Sequence, residues 1–551
     1  MMRVKTVWMK ATWARLLLLM ALPGLLLAFH AYFTRTVDDS RFLINTDPDY
    51  AYLLSAIDLS RLGKSRMVMH PGTPVQWLSH LLMKARYWLC ASKADDFATS
   101  VLKNSGAYLN LLHHAFSLMN IALLWLFGFL AYQITRRMGF ALLFQSLPFL
   151  FAPIAISGFR KVSSDIILVS ASLLLAGMLL KTVHAQQAHG PSSKRLALAI
   201  VFGLVVGFGM ATKITFSIMA IIPLVVIPSL LGKAAFILMT SAVFWLLTLP
   251  ISPAIHFFNS FLLKIMTHRG IYGHGPVSLF NLRDFFTNMF SLCRENFTFI
   301  LFILFSVAII GFSITASASR ERKIQIWKEP HFRALAAVTL VQVVGVLMVA
   351  RHFKSKYLIP AFALTAAGIY LLNRHMEWLK HQQLALGTLW KKAILWRAKL
   401  LGTFIVLSLL NSALSIGVYH RQRLERRSEA RMIEKKLQGE FRGFAVVYFY
   451  NAASLVYGLA FGNEWTPLYA RPLERLFGEQ YFYNPGNGAI HGWSRKNRIT
   501  LETLKEKTDN RIVFYGMPFP VLSAKTNGRV PDLPLRDVAG GKGITLYQLD
   551  H

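Results

Sequence analysis

The sequence predicts a polytopic α-helical membrane protein of about eleven transmembrane helices, with a small C-terminal α/β soluble domain on the outer side. Three observations predict it. Of 551 residues 54% are hydrophobic and only 16% charged, where a soluble domain carries about a quarter charged residues. Apolar runs long enough to cross a hydrocarbon core of about 30 Å recur through the first 420 positions. Beyond them the runs stop and short β-type segments take over.

The first run, "LLLLMALPGLLLAFHAYF" at 16–33, follows Arg3, Lys5, Lys10 and Arg15. Such a flank suits a signal peptide. No small-x-small cleavage site follows, however, and many spans do, so it reads as an uncleaved first helix. Further runs lie near 113–132, 139–157, 164–181, 196–212, 214–231, 233–251, 297–316, 333–350, 356–373 and 400–419. With the N-terminus inside, "ITRRMG", "KTVHAQQAHGPSSKR", "LLGK", "ASRERKIQIWKEPHFR" and the stretch from "NRHMEWLKHQQ" to "LWKKAILWRAK" become inner connections. Nearly all carry a Lys/Arg surplus, the usual bias of cytoplasmic loops.

The outer side then receives a long loop at 35–112, connections at 157–164, around Lys213, at 252–296 and 351–356, and everything after 420. This divides the chain into a transmembrane module, 1–420, and an extracytoplasmic domain, 421–551. In the latter "GFAVVYFY", "RIVFYG" and "GITLYQL" read as strands between Gly/Pro/Asn turns. "RLERRSEARMIEKKLQGEF" ahead of them reads as a charged amphipathic helix. The formal charge of +34 does not indicate nucleic acid: residues 1–420 hold 40 Lys/Arg against 13 Asp/Glu and residues 421–551 hold 20 against 13, with no basic domain. Cys90 and Cys293, both on the outer side, are too few for a disulfide framework or a metal site.

Carboxylates are scarce before residue 420, so their places are informative. Asp38, Asp39, Asp47, Asp49 and Asp58 gather in the first outer loop. In "DPDYAYLLSAIDL" Asp47, ahead of Pro48, suits an N-cap, and Asp49 favours the positive end of the helix that follows. "MHPGTPVQW" then offers His70 and Thr73 on a turn stiffened by Pro71 and Pro74 and freed at Gly72. With Tyr52 and Gln76 it forms a candidate pocket at the membrane surface. Asp165 opens the fourth span, where an ionisable group is costly and defaults to a functional role. A plain first-turn residue is the alternative. Cations converge on the same side: Arg160 and Lys161, Lys213 in "GMATKITF", and Arg351, His352, Lys354 and Lys356 in "VARHFKSKYLIP". Lys213 could be a lysine snorkelling at a helix end and "RHFKSK" an ordinary polar turn. One anionic ligand, a lipid phosphate, accounts for all of them together. Acids able to take a proton, beside cations able to hold a leaving phosphate, fit glycosyl transfer from a lipid phosphate.

The arrangement resembles the GT-C superfamily of polyprenyl-phosphate-sugar-dependent glycosyltransferases, in particular its protein O-mannosyltransferase and lipid A aminoarabinose transferase branch. The resemblance covers about 15–375. It rests on five pieces in order: "DPDYAYLLSAIDL", "HPGTPVQWL", "SSDIILVSASLLL", "GMATKITF" and the basic turn before "YLIPAFALTAAGIYLL". It implies a transferase with a polyprenyl-phosphate-linked sugar donor, acting on a lipid, glycan or protein acceptor outside; single displacement would invert the anomeric carbon, by analogy with inverting glycosidases, and the compact loops fit a bacterial inner membrane. It implies Asp49 or Asp47 as the base, with Asp49 preferred because Asp47 is the better cap. Asp165 would assist, and Lys213, Arg351, His352, Lys356 and Arg160 would bind donor phosphate. The chain departs from the family's adjacent paired acids in having "DPD". Some members of the superfamily use a divalent cation and others do not, so the resemblance leaves such an ion open and assigns no cofactor. "FLLKIMTHRGIYGHGPVSL", with Gly270, Gly273, Gly275, His268 and His274, reads either as a mobile loop over the pocket or as a solvated connection. A transporter or flippase of a lipid-linked anion is the alternative function, and a non-catalytic scaffold a third.

Overall fold

The computed structural model describes all residues except 1, 37–45, 69, 91–94, 160, 188–191, 269–276, 279–280, 316–318, 352–353, 382–387, 485–487, 519–534, 542–543 and 550–551. For 2–13, 46–47, 187, 192–194 and 388–394 it describes the backbone alone. Helix α1 (Met2–Thr36) is followed by α2 (Thr46–Leu62), α3 (Thr73–Cys90) and α4 (Phe97–Lys103), none of which is a span. The long α5 (Ser105–Thr135) is next. Then come α6 (Met138–Gln145), α7 (Leu147–Leu150) and α8 (Ala152–Gly158), α9 (Ser164–Gln187), α10 (Ser192–Thr212), a 3-10 turn Ile214–Ala220 and α11 (Ile221–Val226). Helices α12 (Leu230–Thr248), α13 (Ile255–Thr267), α14 (Leu282–Glu295), α15 (Phe297–Thr315), α16 (Arg320–Lys328) and α17 (Pro330–Arg351) lead to a 3-10 turn Ser355–Leu358. The membrane-spanning part ends with α18 (Ile359–Ala363), α19 (Thr365–His381) and α20 (Thr388–Gln438).

Among the described residues eight helical stretches are long and apolar enough to span a membrane, nine if the pair bent by 44° at Leu364 is one span. The difference from eleven lies in two of the expected runs. Residues 138–158 form three short helices, with Pro148 near the start of the second and Pro153 near the start of the third. Residues 214–226 form a 3-10 turn and a six-residue helix holding Pro223. Proline lacks the N–H that a helix interior needs, so apolar length is kept while helical continuity is lost. Such breaks are tolerated where neighbouring protein covers the backbone, and Phe216, Ile222 and Val226 are buried here.

Two ends of the bundle can be told apart by their contacts. At one end Gln186 of α9 donates to the Val226 carbonyl (2.9 Å) and accepts from Arg333 of α17 (3.0 Å). There too Glu377 of α19 pairs with Arg137 (3.4 Å), Arg374 (2.8 Å) and Arg397 (3.5 Å). The opposite end carries Asp49 and Asp165, α2, α3 and the sheet domain.

Among the described residues the sheet domain has α21 (Leu455–Trp465), α22 (Ala470–Phe477) and α23 (Leu501–Lys507) around seven strands. These are β1 (Ala445–Tyr448), β2 (Tyr481–Asn484), β3 (Ala489–His491), β4 (Arg498–Ile499), β5 (Ile512–Gly516), β6 (Leu535–Gly540) and β7 (Thr545–Leu549). Their order is β4-β3-β2-β1-β5-β7-β6, with β1 parallel to β2 and β5 and the other pairs antiparallel. The three expected strands are β1, β5 and β7. The expected charged helix is the far half of α20, which runs unbroken for 51 residues through position 420. Helix α21 lies on α2 because Gly458 and Gly462 lack side chains: a Cβ there would stand 2.8 Å from the Tyr50 ring and 2.8 Å from the Tyr50 carbonyl. Small residues one turn apart let two backbones meet in this way.

Candidate active site

The site grows from three interruptions of helix at one end of the bundle. Lys213 stands in extended conformation (φ −158°, ψ 123°) between α10 and the 3-10 turn. Lys354 does the same (φ −153°, ψ 115°) before Ser355–Leu358. Asp165 lies in the first turn of α9, where unpaired N–H groups favour an anion. The Lys213 ammonium donates to Asp165 Oδ1 at 2.8 Å, and Lys356 Nζ lies 3.5 Å from Oδ2. The Asp165 and Lys213 side chains are each 3% exposed, that of Lys356 28%. The Tyr357 ring sits beneath both lysines, its centroid 4.3 Å from Lys213 Nζ and 5.8 Å from Lys356 Nζ. A buried carboxylate is thereby matched with two ammonium groups over an aromatic face.

The α2–α3 turn closes one side. The His70 carbonyl accepts from the Ile214 N–H (3.2 Å), and Thr73 Oγ1 reaches the Ala211 carbonyl at 3.5 Å. Gln76 donates to the Met67 carbonyl at 3.1 Å and reaches that of Pro71 at 3.5 Å. Gly72 has φ +71°, and a Cβ on it would lie 2.6 Å from Tyr52 Oη. Glycine is therefore required twice over, by conformation and by the buried tyrosine. His70 is held down to about 3, first by burial and then by the charge of Lys213, so its ring is neutral.

Asp49 lies one turn of chain away from this cluster. Only 2% exposed, it accepts the Val162 N–H on Oδ1 (2.9 Å), and His113 Nε2 lies 2.9 Å from Oδ2. Val162 belongs to the bend at 161–163 that leads straight into Asp165. Lys161, on the same turn, feels both acids as well as Lys356 and Arg423, and it is lowered to about 8, first by burial and then by those cations.

The other residues singled out in the sequence are placed as follows. Asp47 is not a cap: α2 begins at Thr46 and places it in the first turn, and its side chain lies outside the described residues. Arg160, His352, Gly270, Gly273, Gly275 and His274 also lie outside them. Arg351 turns away from Asp165 and bonds the Met266 carbonyl at the end of α13. Tyr52, Thr73 and Gln76 are buried in the turn's own framework. Cys90 and Cys293 are both free. No three His, Cys, Asp or Glu side chains among the described residues are grouped to hold a metal ion.

Sequence reasoning missed His113 and its neighbours on α5. Ser117 donates to the Phe159 carbonyl (2.6 Å), and Asn120 donates to those of Gly158 (2.8 Å) and Ile166 (2.9 Å). Ser170 in turn donates to Asn120 Oδ1 (2.5 Å). Positions 113, 117 and 120 share one helical face. That polar stripe in "HHAFSLMN" was the available signal. Arg423 of α20 was likewise unforeseen.

The fold and the site together define a multi-pass membrane protein with a buried, cation-rich acid cluster at one end of its bundle. No known family model matches the chain, and no curated protein matches it. Among solved structures it is similar to ArnT from Cupriavidus metallidurans bound to undecaprenyl phosphate, at 12% identity and TM-score 0.42, covering 95% of this chain and 97% of that one. It is also similar to the Archaeoglobus fulgidus oligosaccharyltransferase in the apo form, at 12% identity and TM-score 0.37, covering 73% of this chain and 56% of that one.

Proposed function

We propose that the chain is an integral-membrane glycosyltransferase that moves a sugar from a polyprenyl-phosphate carrier to an acceptor on the extracytoplasmic side, with inversion at the anomeric carbon. The observation that carries this reading is the cluster of buried Asp165 and Lys213 with half-buried Lys356, joined to Asp49 through the Val162 N–H. Cations outnumber carboxylates around it among the described residues, which suits a ligand bringing its own negative charge. Asp165 is ion-paired with two lysines, so its part is to hold them. Asp49 meets a backbone N–H and an imidazole nitrogen instead, with no lysine or arginine paired to it among the described residues, and its oxygens keep lone pairs for a further donor. It is the acid left to take the acceptor hydroxyl's proton while the sugar–phosphate bond breaks. Lys213, Lys356 and Lys161 stabilise the charge that gathers on the departing phosphate. The arginines at the opposite end, Arg137, Arg333 and Arg397, support placing that end in the cytoplasm.

Carriage of a lipid-linked anion across the membrane is the second reading, favoured by the helix breaks at Lys213 and Leu364, since broken helices carry the sites of many transporters. Replacing Asp49 with Asn separates the two. Mass spectrometry of envelope glycans and glycolipids from cells with wild-type, Asp49→Asn or no gene is the measurement. Transfer predicts a glycosylated product lost in the variant while binding of undecaprenyl phosphate in nanodiscs is kept. An unchanged product yield in the variant removes Asp49 as the base.

A further inference from the structure

We infer that His113 is a positioning residue that fixes the carboxylate of Asp49, and that the polar stripe of α5 is the frame in which this is done. The inference rests on the sugar-transfer reading of Asp49.

The terminal torsion of an aspartate is broad, so a carboxylate expected to meet a substrate hydroxyl needs something to set its plane. Asp49 is gripped from two directions. The Val162 N–H reaches Oδ1 and His113 Nε2 reaches Oδ2, each at 2.9 Å. The side chains of His113 and Asp49 are 15% and 3% exposed, so solvent does not supply an alternative partner cheaply. The same helical face that carries His113 also carries Ser117 and Asn120, and these hold the carbonyls of Gly158, Phe159 and Ile166 on both sides of Val162. One face of α5 therefore fixes the acid and the backbone donor that the acid faces. Packing does not ask for a histidine here: Leu109, Leu112 and Phe116 already supply buried apolar contacts on this part of α5. With a leucine at 113 the carboxylate would keep one donor and swing about it. A glutamine could still donate.

Histidine-selective 15N NMR of the full chain in nanodiscs tests the pairing without any substrate. The His113 signal is assigned among the 17 histidines by its loss in His113→Gln. An Nε2–H proton resonance that is downfield in the wild type and moves upfield in Asp49→Asn is expected; one that does not move overturns the inference. Product formation by isolated membranes, which carry their own donor, tests the consequence. His113→Leu lowers the rate about tenfold or more, as misplacement of a reacting group does, and His113→Gln stays within about threefold of wild type. Equal losses in both variants overturn the positioning role. If His113→Leu fails to reach the membrane, the Gln variant alone decides: a rate within about threefold supports the role and a tenfold loss ends it. Should wild-type membranes make no product, the transfer reading falls, while the spectrum still decides whether His113 holds Asp49.

Discussion

Lys213 Nζ lies 2.8 Å from Asp165 Oδ1, the two residues 48 positions apart in the chain and both side chains 3% exposed. Two charges removed from water to this degree stabilise each other only as a pair. The helix breaks that bring them together are thus part of the site, since a continuous α10 would have no extended residue at 213 to aim its ammonium at α9.

Among the described residues, Lys213→Met leaves Asp165 with only the more distant Lys356 as an ion-pair partner. The expected cost is about 3–5 kcal/mol, the usual result of stripping one partner from a buried pair, and thermal unfolding in detergent measures it. Adding Asp165→Asn should restore most of that loss, because no buried charge is then uncompensated, while product formation stays absent. A double variant as unstable as the single one would show that the pair's partner is not the source of the cost.

On the proposed function, Lys161 should make donor binding pH-dependent on the alkaline side. Its ammonium is lowered to about 8, so it is charged below that pH and loses its proton above it. Affinity for undecaprenyl phosphate in nanodiscs should fall by about tenfold between pH 7 and 9.5, the worth of one hydrogen bond to a charged group. Lys161→Arg should bind equally across that window, since a guanidinium keeps its proton.

Asp58 gives the contact between α2 and the sheet domain a dependence of its own. The Tyr469 hydroxyl donates to Asp58 Oδ1 at 2.6 Å, and burial pushes the Asp58 carboxyl up to about 6. A carboxyl raised on folding lends stability fully below its unfolded value, about 3.9, and loses it as pH climbs through the folded one. Docking of the domain should therefore loosen between about pH 4 and pH 6. Hydrogen exchange at the Tyr50–Ile57 amides reads this, and Asp58→Asn should abolish the pH dependence.

Gly72→Ala should destabilise the α2–α3 turn by about 1–3 kcal/mol, the cost of a left-handed conformation for a residue with a Cβ, with the clash against Tyr52 Oη added. The same substitution at Gly24, where a Cβ meets nothing within 4 Å, is the control for thermal unfolding.

How much of this was readable in advance depended on how expensive each residue is in its setting. Charges inside an apolar chain are costly, and so Asp165, Lys213 and Lys356 stood out individually before their meeting was visible. Strands β1, β5 and β7 announced themselves by β-branched and aromatic content. Helix breaks were hidden because Pro148, Pro153 and Pro223 interrupt hydrogen bonding within runs that stay apolar overall. His113, Ser117 and Asn120 were hidden differently: each is unremarkable alone, and only their shared helical face gives them meaning. The contact of Gly458 and Gly462 with Tyr50 spans some four hundred positions, beyond the reach of any local pattern. The turn of Arg351 toward Met266 depends on where α13 ends, which charge counting does not tell.

Helix α20 has a mechanical consequence. Unbroken from Thr388 to Gln438, it is about 76 Å long at the usual rise, with its near part among the spans and its far part bonded to the strands through Glu429 and the Ile544 N–H (3.1 Å). Arg427 on the same rod also bonds the last carbonyls of α1. A stiff shaft held at Arg397 by Glu377 and at Glu429 by the sheet domain passes tilt along its length: a lean of ten degrees in the bilayer would displace the far tip by about 13 Å on that length. Thinning or thickening the surrounding lipid would then be felt at β6 and β7 before any chemistry had occurred.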